Sequence, residues 1–144
     1  MHRHAYAAAL LPVLAGKAAA AQFAYVPNEK PGTISVIDTD GDTVVRTIAT
    51  GPFANGVVAS PDGRTVYVSS GRGARVDVVD TEARRVRGAV AVGQRPWNMA
   101  LTPDGTRLYV ANGRSGTASV IDTRTLKRIA DVPVGELPWG VAIR

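Results

Sequence analysis

The chain has 144 residues, 45% of them apolar, and carries 17 basic and 12 acidic side chains for a net charge of +5. That is enough for one domain with a real core and too little for two. There is no cysteine, which excludes disulfides, thiolate catalysis, cysteine-ligated metals and covalent c-type haem.

Residues 1–21 read as a secretory signal peptide. Met1-His2-Arg3-His4 forms a weakly basic start, Ala5 to Ala15 an apolar run of eleven residues, and Ala19-Ala20-Ala21 a small-residue cleavage site before Gln22. Eleven apolar residues are too few to cross a bilayer. No stable membrane span is therefore expected, and the mature protein is expected to be periplasmic or secreted. Its removal takes away Arg3 and Lys17, leaving 15 basic against 12 acidic residues, a net of +3. Nucleic-acid binding needs a denser basic stripe, so no nucleic-acid partner is expected.

From Gln22 onward one pattern is written three times at a step of 42 residues. Tyr25-Val26, Tyr67-Val68 and Tyr109-Val110 mark it, as do Asp38-Thr39, Asp80-Thr81 and Asp122-Thr123, and the glycines Gly51, Gly93 and Gly135. Each unit holds four short segments rich in β-branched and aromatic residues. In one copy these are Trp97 to Thr102, Arg107 to Asn112, Ala118 to Asp122 and Lys127 to Val134. Pro103-Asp104-Gly105 makes the turn between the first two, with proline presetting φ, aspartate capping and glycine accepting positive φ. A period in the forties built from short strands predicts an all-β protein made of β-propeller blades of four strands each.

The phase of the repeat predicts how the blades are assembled. The first copy opens at Phe23-Ala24-Tyr25-Val26, which aligns with second strands, and Trp139 to Arg144 aligns with inner strands. Blade 1 is therefore expected to combine strands within residues 23–50 with residues 139–144, blade 2 to cover 55–92 and blade 3 to cover 97–134. Propellers have about four to eight blades. Three blades thus imply either a homodimer closing a six-bladed ring, each copy lending its C-terminal strand, or a truncated propeller.

Tyr67-Val68-Ser69-Ser70 and Tyr109-Val110-Ala111-Asn112 are followed by Val-Asp-Val-Val-Asp-Thr and Ala-Ser-Val-Ile-Asp-Thr. In these runs the chain resembles the YVTN-type β-propeller repeat family, relatives of the WD40-like repeats. Residues 24–144 fit the pattern, although the tetrad itself is degenerate. The resemblance implies an exported propeller. Some such proteins are associated with pyrroloquinoline-quinone-dependent catabolism, others are surface-layer components, and related propellers include lactonase-like enzymes and the haem d1 domain of nitrite reductase.

Past residue 21 neither histidine nor cysteine remains, which removes Ser-His-Asp and Cys-His machinery, His-ligated haem and most zinc or copper sites. Asp38, Asp62, Asp80, Asp104 and Asp122 recur at matched turns and are expected to cap them. Asp38-Thr39-Asp40-Gly41-Asp42 invites a calcium reading, but Ala49 and Thr50 stand where the loop signature needs a further acid. No metal, cofactor or catalytic residue is expected.

The stronger candidate surface is one rim of the ring, where the outer-to-inner and second-to-third strand loops emerge together. The expected rim residues are Arg72, Arg95, Trp97, Asn98, Asn112, Arg114 and Trp139. Arginine and tryptophan favour recognition hot spots, so this rim suits a small anionic or aromatic ligand or a protein partner. The competing reading of Trp97 and Trp139 is that they wedge between neighbouring blades. The expected function is an exported, non-catalytic binding or assembly module. The alternatives are a lactonase-like enzyme, a surface-layer protein or a non-functional remnant of a longer propeller.

Overall fold

The repeat unit folds as its turns dictate. A computed structural model describes residues 22–144; the expected signal peptide over residues 1–21 lies outside the described residues. Eleven strands and no helix are found among them, so none of the described residues forms a helix able to cross a membrane. The strands are β1 (Phe23–Asn28), β2 (Thr33–Asp38), β3 (Thr43–Ala49), β4 (Ala54–Ala59), β5 (Thr65–Ser70), β6 (Arg75–Asp80), β7 (Arg85–Ala91), β8 (Pro96–Leu101), β9 (Arg107–Asn112), β10 (Thr117–Asp122) and β11 (Lys127–Pro133). They build three antiparallel sheets in the orders β1-β2-β3, β4-β5-β6-β7 and β8-β9-β10-β11. The chain is three consecutive propeller blades, β4 lying against β1 and β8 against β4 and β5.

Matched side chains close matched turns. Asp62 Oδ1 accepts from Ser60 Oγ at 2.6 Å and from the Arg64 amide at 3.0 Å, while Asp104 Oδ1 accepts from Thr102 Oγ1 at 2.6 Å and from the Thr106 amide at 3.0 Å. Gly63 and Gly105 follow at φ of 69° and 71°, a conformation that costs other residues about 1–2 kcal/mol. Asp38, Asp80 and Asp122 each accept from the backbone amide two residues on, at 2.9 Å. Every third-to-outer strand pair carries a register shift, at Val36/Ile37, Val78/Val79 and Val120/Ile121, and this bulge adds the twist a wedge-shaped blade needs.

These turn carboxylates predict an acid limb. The Thr102 hydroxyl, then the Thr106 amide and hydroxyl, pull Asp104 down to about 2. Asp62 and Asp122 are lowered too, chiefly by Ser60 and Arg124 respectively. A carboxylate that binds its proton less readily folded than unfolded stabilises the fold above the unfolded value of about 3.9, and that contribution is lost as pH falls through the folded value. The melting temperature should stay level from neutral pH down to about 5 and then fall toward about 2. Asp104→Asn should flatten part of that fall in a series of thermal melts.

The core lies between blades, in two clusters related by the 42-residue step. Ile34, Val36, Ile48, Val66, Val68 and Val79 fill the space between the first and second sheets. Val76, Val78, Val90, Leu108, Val110 and Ile121 do the same between the second and third. Each such side chain, fully buried, contributes about 1.5–3 kcal/mol.

One expected pairing does not form within the chain. Residues 139–144 are not a strand, and among the described residues the first sheet ends at β1 with no fourth member. The segment follows β11 after five residues and is held beside β8, where the Asn98 amide donates to the Trp139 carbonyl at 3.1 Å. The same relation links blades 2 and 3 indirectly: Gly56 N–H donates to Ser69 Oγ at 2.8 Å, and Ser69 Oγ donates to the Trp97 carbonyl. Ala111 stands at Ser69's equivalent, so the bond at blade 3 is direct. Trp139 thus takes the place against blade 3 that β8 takes against blade 2, on the flank away from β1.

Candidate functional site

Two kinds of loop frame one cavity of about 450 Å³. The outer-to-inner loops contribute Phe53 after the first blade and Gln94 and Arg95 after the second, and the inner strands they lead into contribute Asn55 and Trp97. The second-to-third strand loops contribute Glu29 from blade 1, Gly71 and Arg72 from blade 2, and Arg114 from blade 3.

Local backbone rules place these groups. Phe53, Arg95 and Leu137, one after each blade, adopt positive φ of 59°, 53° and 49°. The turned loops are tied to their neighbours by Gly71 N–H donating to the Phe53 carbonyl at 2.8 Å and Gly113 N–H to that of Arg95 at 2.9 Å. Just beyond, the inner strands carry a bulge between Ala54 and Val57 and between Pro96 and Met99. A bulge re-aims the side chains it holds; here those are Asn55 and Trp97, both on the cavity wall.

Guanidinium groups lie over aromatic rings. Arg72 Cζ stands 3.7 Å from the centre of the Phe53 ring, and Arg95 Cζ stands 4.9 Å from that of Trp97. The ring quadrupole attracts each cation and holds it at the aromatic face. Among the described residues neither arginine, nor Arg114, belongs to an ion pair. Among the described residues Glu29 is the only acid on the wall, which carries three cations and one anion.

Of the seven rim residues expected from sequence, Arg72, Arg95, Trp97 and Arg114 meet at this cavity. The other three lie elsewhere. Trp139 stacks on Trp97 with ring centroids 4.5 Å apart and planes 22° from parallel, on a side chain still 66% exposed. Trp97 is therefore both a wall of the cavity and a wedge at a blade junction. Asn98 is bound into the inner strand, its Oδ1 accepting from the Met99 amide at 2.8 Å. Asn112, expected on the rim, is instead fully buried, because its Nδ2 donates to Thr117 Oγ1 at 3.1 Å and Ser119 Oγ at 2.8 Å. Phe53 is a wall residue that sequence reading missed, although it stands one step of 42 before Arg95.

The profile of the cytochrome D1 heme domain matches residues 20–140. The chain belongs to that family. No curated protein matches it. Among solved structures, this family member is similar to hydrazine synthase of Kuenenia stuttgartiensis, with a TM-score of 0.78 at 23% identity, over 81% of this chain and 34% of the other. It is similar to AztD from Citrobacter koseri, TM-score 0.68 at 18% identity, over 84% of this chain and 34% of that one. The dihydro-heme d1 dehydrogenase NirN in complex with DHE gives a TM-score of 0.67 at 24% identity, over 89% of this chain and 28% of that one. These likenesses show the propeller fold. The chain spans about a third of the length of each of these proteins.

Proposed function

We propose that this cytochrome D1-family propeller segment is a non-catalytic binding module, exported by way of residues 1–21. In this reading its ligand is a planar molecule with more than one anionic group. The supporting observation is the convergence of Arg72, Arg95 and Arg114, from three different loops, on one cavity with two aromatic faces. A volume of about 450 Å³ lies within the usual range for a small-molecule site. Guanidinium forks match carboxylate geometry, and the Phe53 and Trp97 rings hold Arg72 and Arg95 at the cavity while adding apolar wall.

The family is described by its heme. Arginines and aromatic faces fit the carboxylates and plane of a haem-like macrocycle. Among the described residues the wall offers no imidazole, thiolate, thioether or phenol to ligate iron. The residues present fit the periphery of such a group and not its metal, so no chemistry is assigned to iron here. Within this reading the repeats are of the YVTN type, and the protein acts in the periplasm or outside the cell as an accessory to another protein's redox chemistry.

Titration with metal-free protoporphyrin IX, a planar dicarboxylate, tests the site through quenching of Trp97 fluorescence. Saturable binding is expected. A charge-assisted hydrogen bond contributes about 1.5–3 kcal/mol, so each arginine-to-alanine change should weaken affinity on the order of tenfold. The Arg72→Ala, Arg95→Ala, Arg114→Ala triple variant should lose binding while keeping its melting temperature. Undiminished binding by the triple variant would reject the site.

A further inference from the structure

A second cavity, of about 820 Å³, opens on another part of the molecule, between the first and second blades. Its apolar wall is Phe23, Tyr25, Val36, Val45 and Ile48, and two arginines, Arg46 and Arg84, stand on its lining. Tyr25 pairs across the sheet with Val36 and Val36 with Arg46, which sets the three abreast in one row.

The repeat shows how this space arises. At the corresponding place between the second and third blades, Leu101 and Leu126 pack against the cluster that contains Met99 and Tyr67. One step of 42 earlier the same positions hold Ala59, Arg84, Val57 and Tyr25. Three side chains are smaller or polar, and the tyrosine that is 4% exposed in blade 2 is only partly covered in blade 1. The backbone does not differ at the key turn, since Arg84 and Leu126 share positive φ of 61° and 54°. Side-chain substitution opens the junction.

We infer that this inter-blade cleft is a binding site for an amphipathic carboxylate, its acyl or aromatic body against Phe23, Tyr25 and Val36 and its head on Arg46 and Arg84. The volume lies within the range of small-ligand sites. Among the described residues neither arginine forms an ion pair. Asp62 and Glu82 also line the cleft. Asp62 Oδ1 accepts from Ser60 Oγ at 2.6 Å and the Arg64 amide at 3.0 Å, while Glu82 and Arg84 are both exposed on their turn. Arg46, half-buried in one row with Tyr25 and Val36, is the charged group set beside the apolar wall.

Dodecanoate is the probe, titrated calorimetrically into the full chain. One molecule per chain is expected to bind. The double variant Ala59→Leu/Arg84→Leu rebuilds the leucine-packed junction of blades 2 and 3; it should melt no lower than the parent and bind at least tenfold more weakly. Should the double variant melt lower, Arg84→Leu alone, at an exposed turn position, must still weaken binding about tenfold. Arg95→Ala/Trp97→Ala alters the other cavity and should leave dodecanoate affinity unchanged, which separates this site from the proposed function. No binding by the parent, or equal binding by parent and both Arg84 variants, overturns the inference.

Discussion

Gly56→Ala should lower stability by about 2–3 kcal/mol, within the usual cost of forcing atoms into a packed interior. A Cβ there would collide with the Trp97 carbonyl oxygen and stand 2.9 Å from Asn98 Cα and 3.1 Å from Ser69 Oγ. Trp97 and Asn98 belong to β8, so the clash is with the backbone of the next blade, which cannot swing aside as a side chain would. It would also break the relay from the Gly56 amide through Ser69 Oγ to the Trp97 carbonyl. For a domain of this size the melting temperature should fall by roughly 10 °C. Gly88→Ala is the control. Nothing lies within 4 Å of its Cβ position, and its melt should match the parent's.

Asp77→Ala should cost about 2–4 kcal/mol, read from urea unfolding. The side chain is 1% exposed, accepting from Arg75 Nε at 2.8 Å through Oδ1 and from the Gly51 amide at 2.7 Å through Oδ2. Removing it strands the buried Gly51 N–H, a loss of about 1–3 kcal/mol, and breaks a charge-assisted bond. The lower part of the range for a broken buried ion pair applies, because Arg75 is 42% exposed and can turn to water. Asp77→Ser should recover part of the loss. Serine stands at the matched positions Ser35 and Ser119, where it accepts from Asn28 and Asn112. Blade 2 has Ser70 in place of that asparagine, and Asp77 with Arg75 takes over its role.

Most of the fold was written in the 42-residue step. The four strands expected in the third blade fall within one residue of β8 to β11, because strand and turn signals there are local: β-branched runs, a capping aspartate, a glycine at positive φ. The place of Trp139 to Arg144 was not legible. Sequence alignment assigns that segment to the inner-strand class, but which sheet it joins depends on tether and neighbours, and it stays beside β8 through Trp97 and Asn98. Within the candidate site, loop order alone brought Arg72, Arg95, Trp97 and Arg114 together. Asn112 was misplaced because a polar residue ending a strand reads as exposed, whereas here two hydroxyls across the sheet draw it inward. The open cleft beside Arg84 was invisible for a different reason. A missing leucine shows only once the packed junction it would have filled is known.

The left-handed turn shared by Phe53, Arg95 and Leu137 has a consequence for how such a mouth can be retuned. Since the loop's course is set by main-chain geometry and by glycine anchors, the residue at its apex is a freely exchangeable fitting. The turns that follow the three blades already display a phenyl, a guanidinium and an isobutyl group on the same mount. Changing ligand preference then requires one replacement per junction, with the surrounding sheets left untouched.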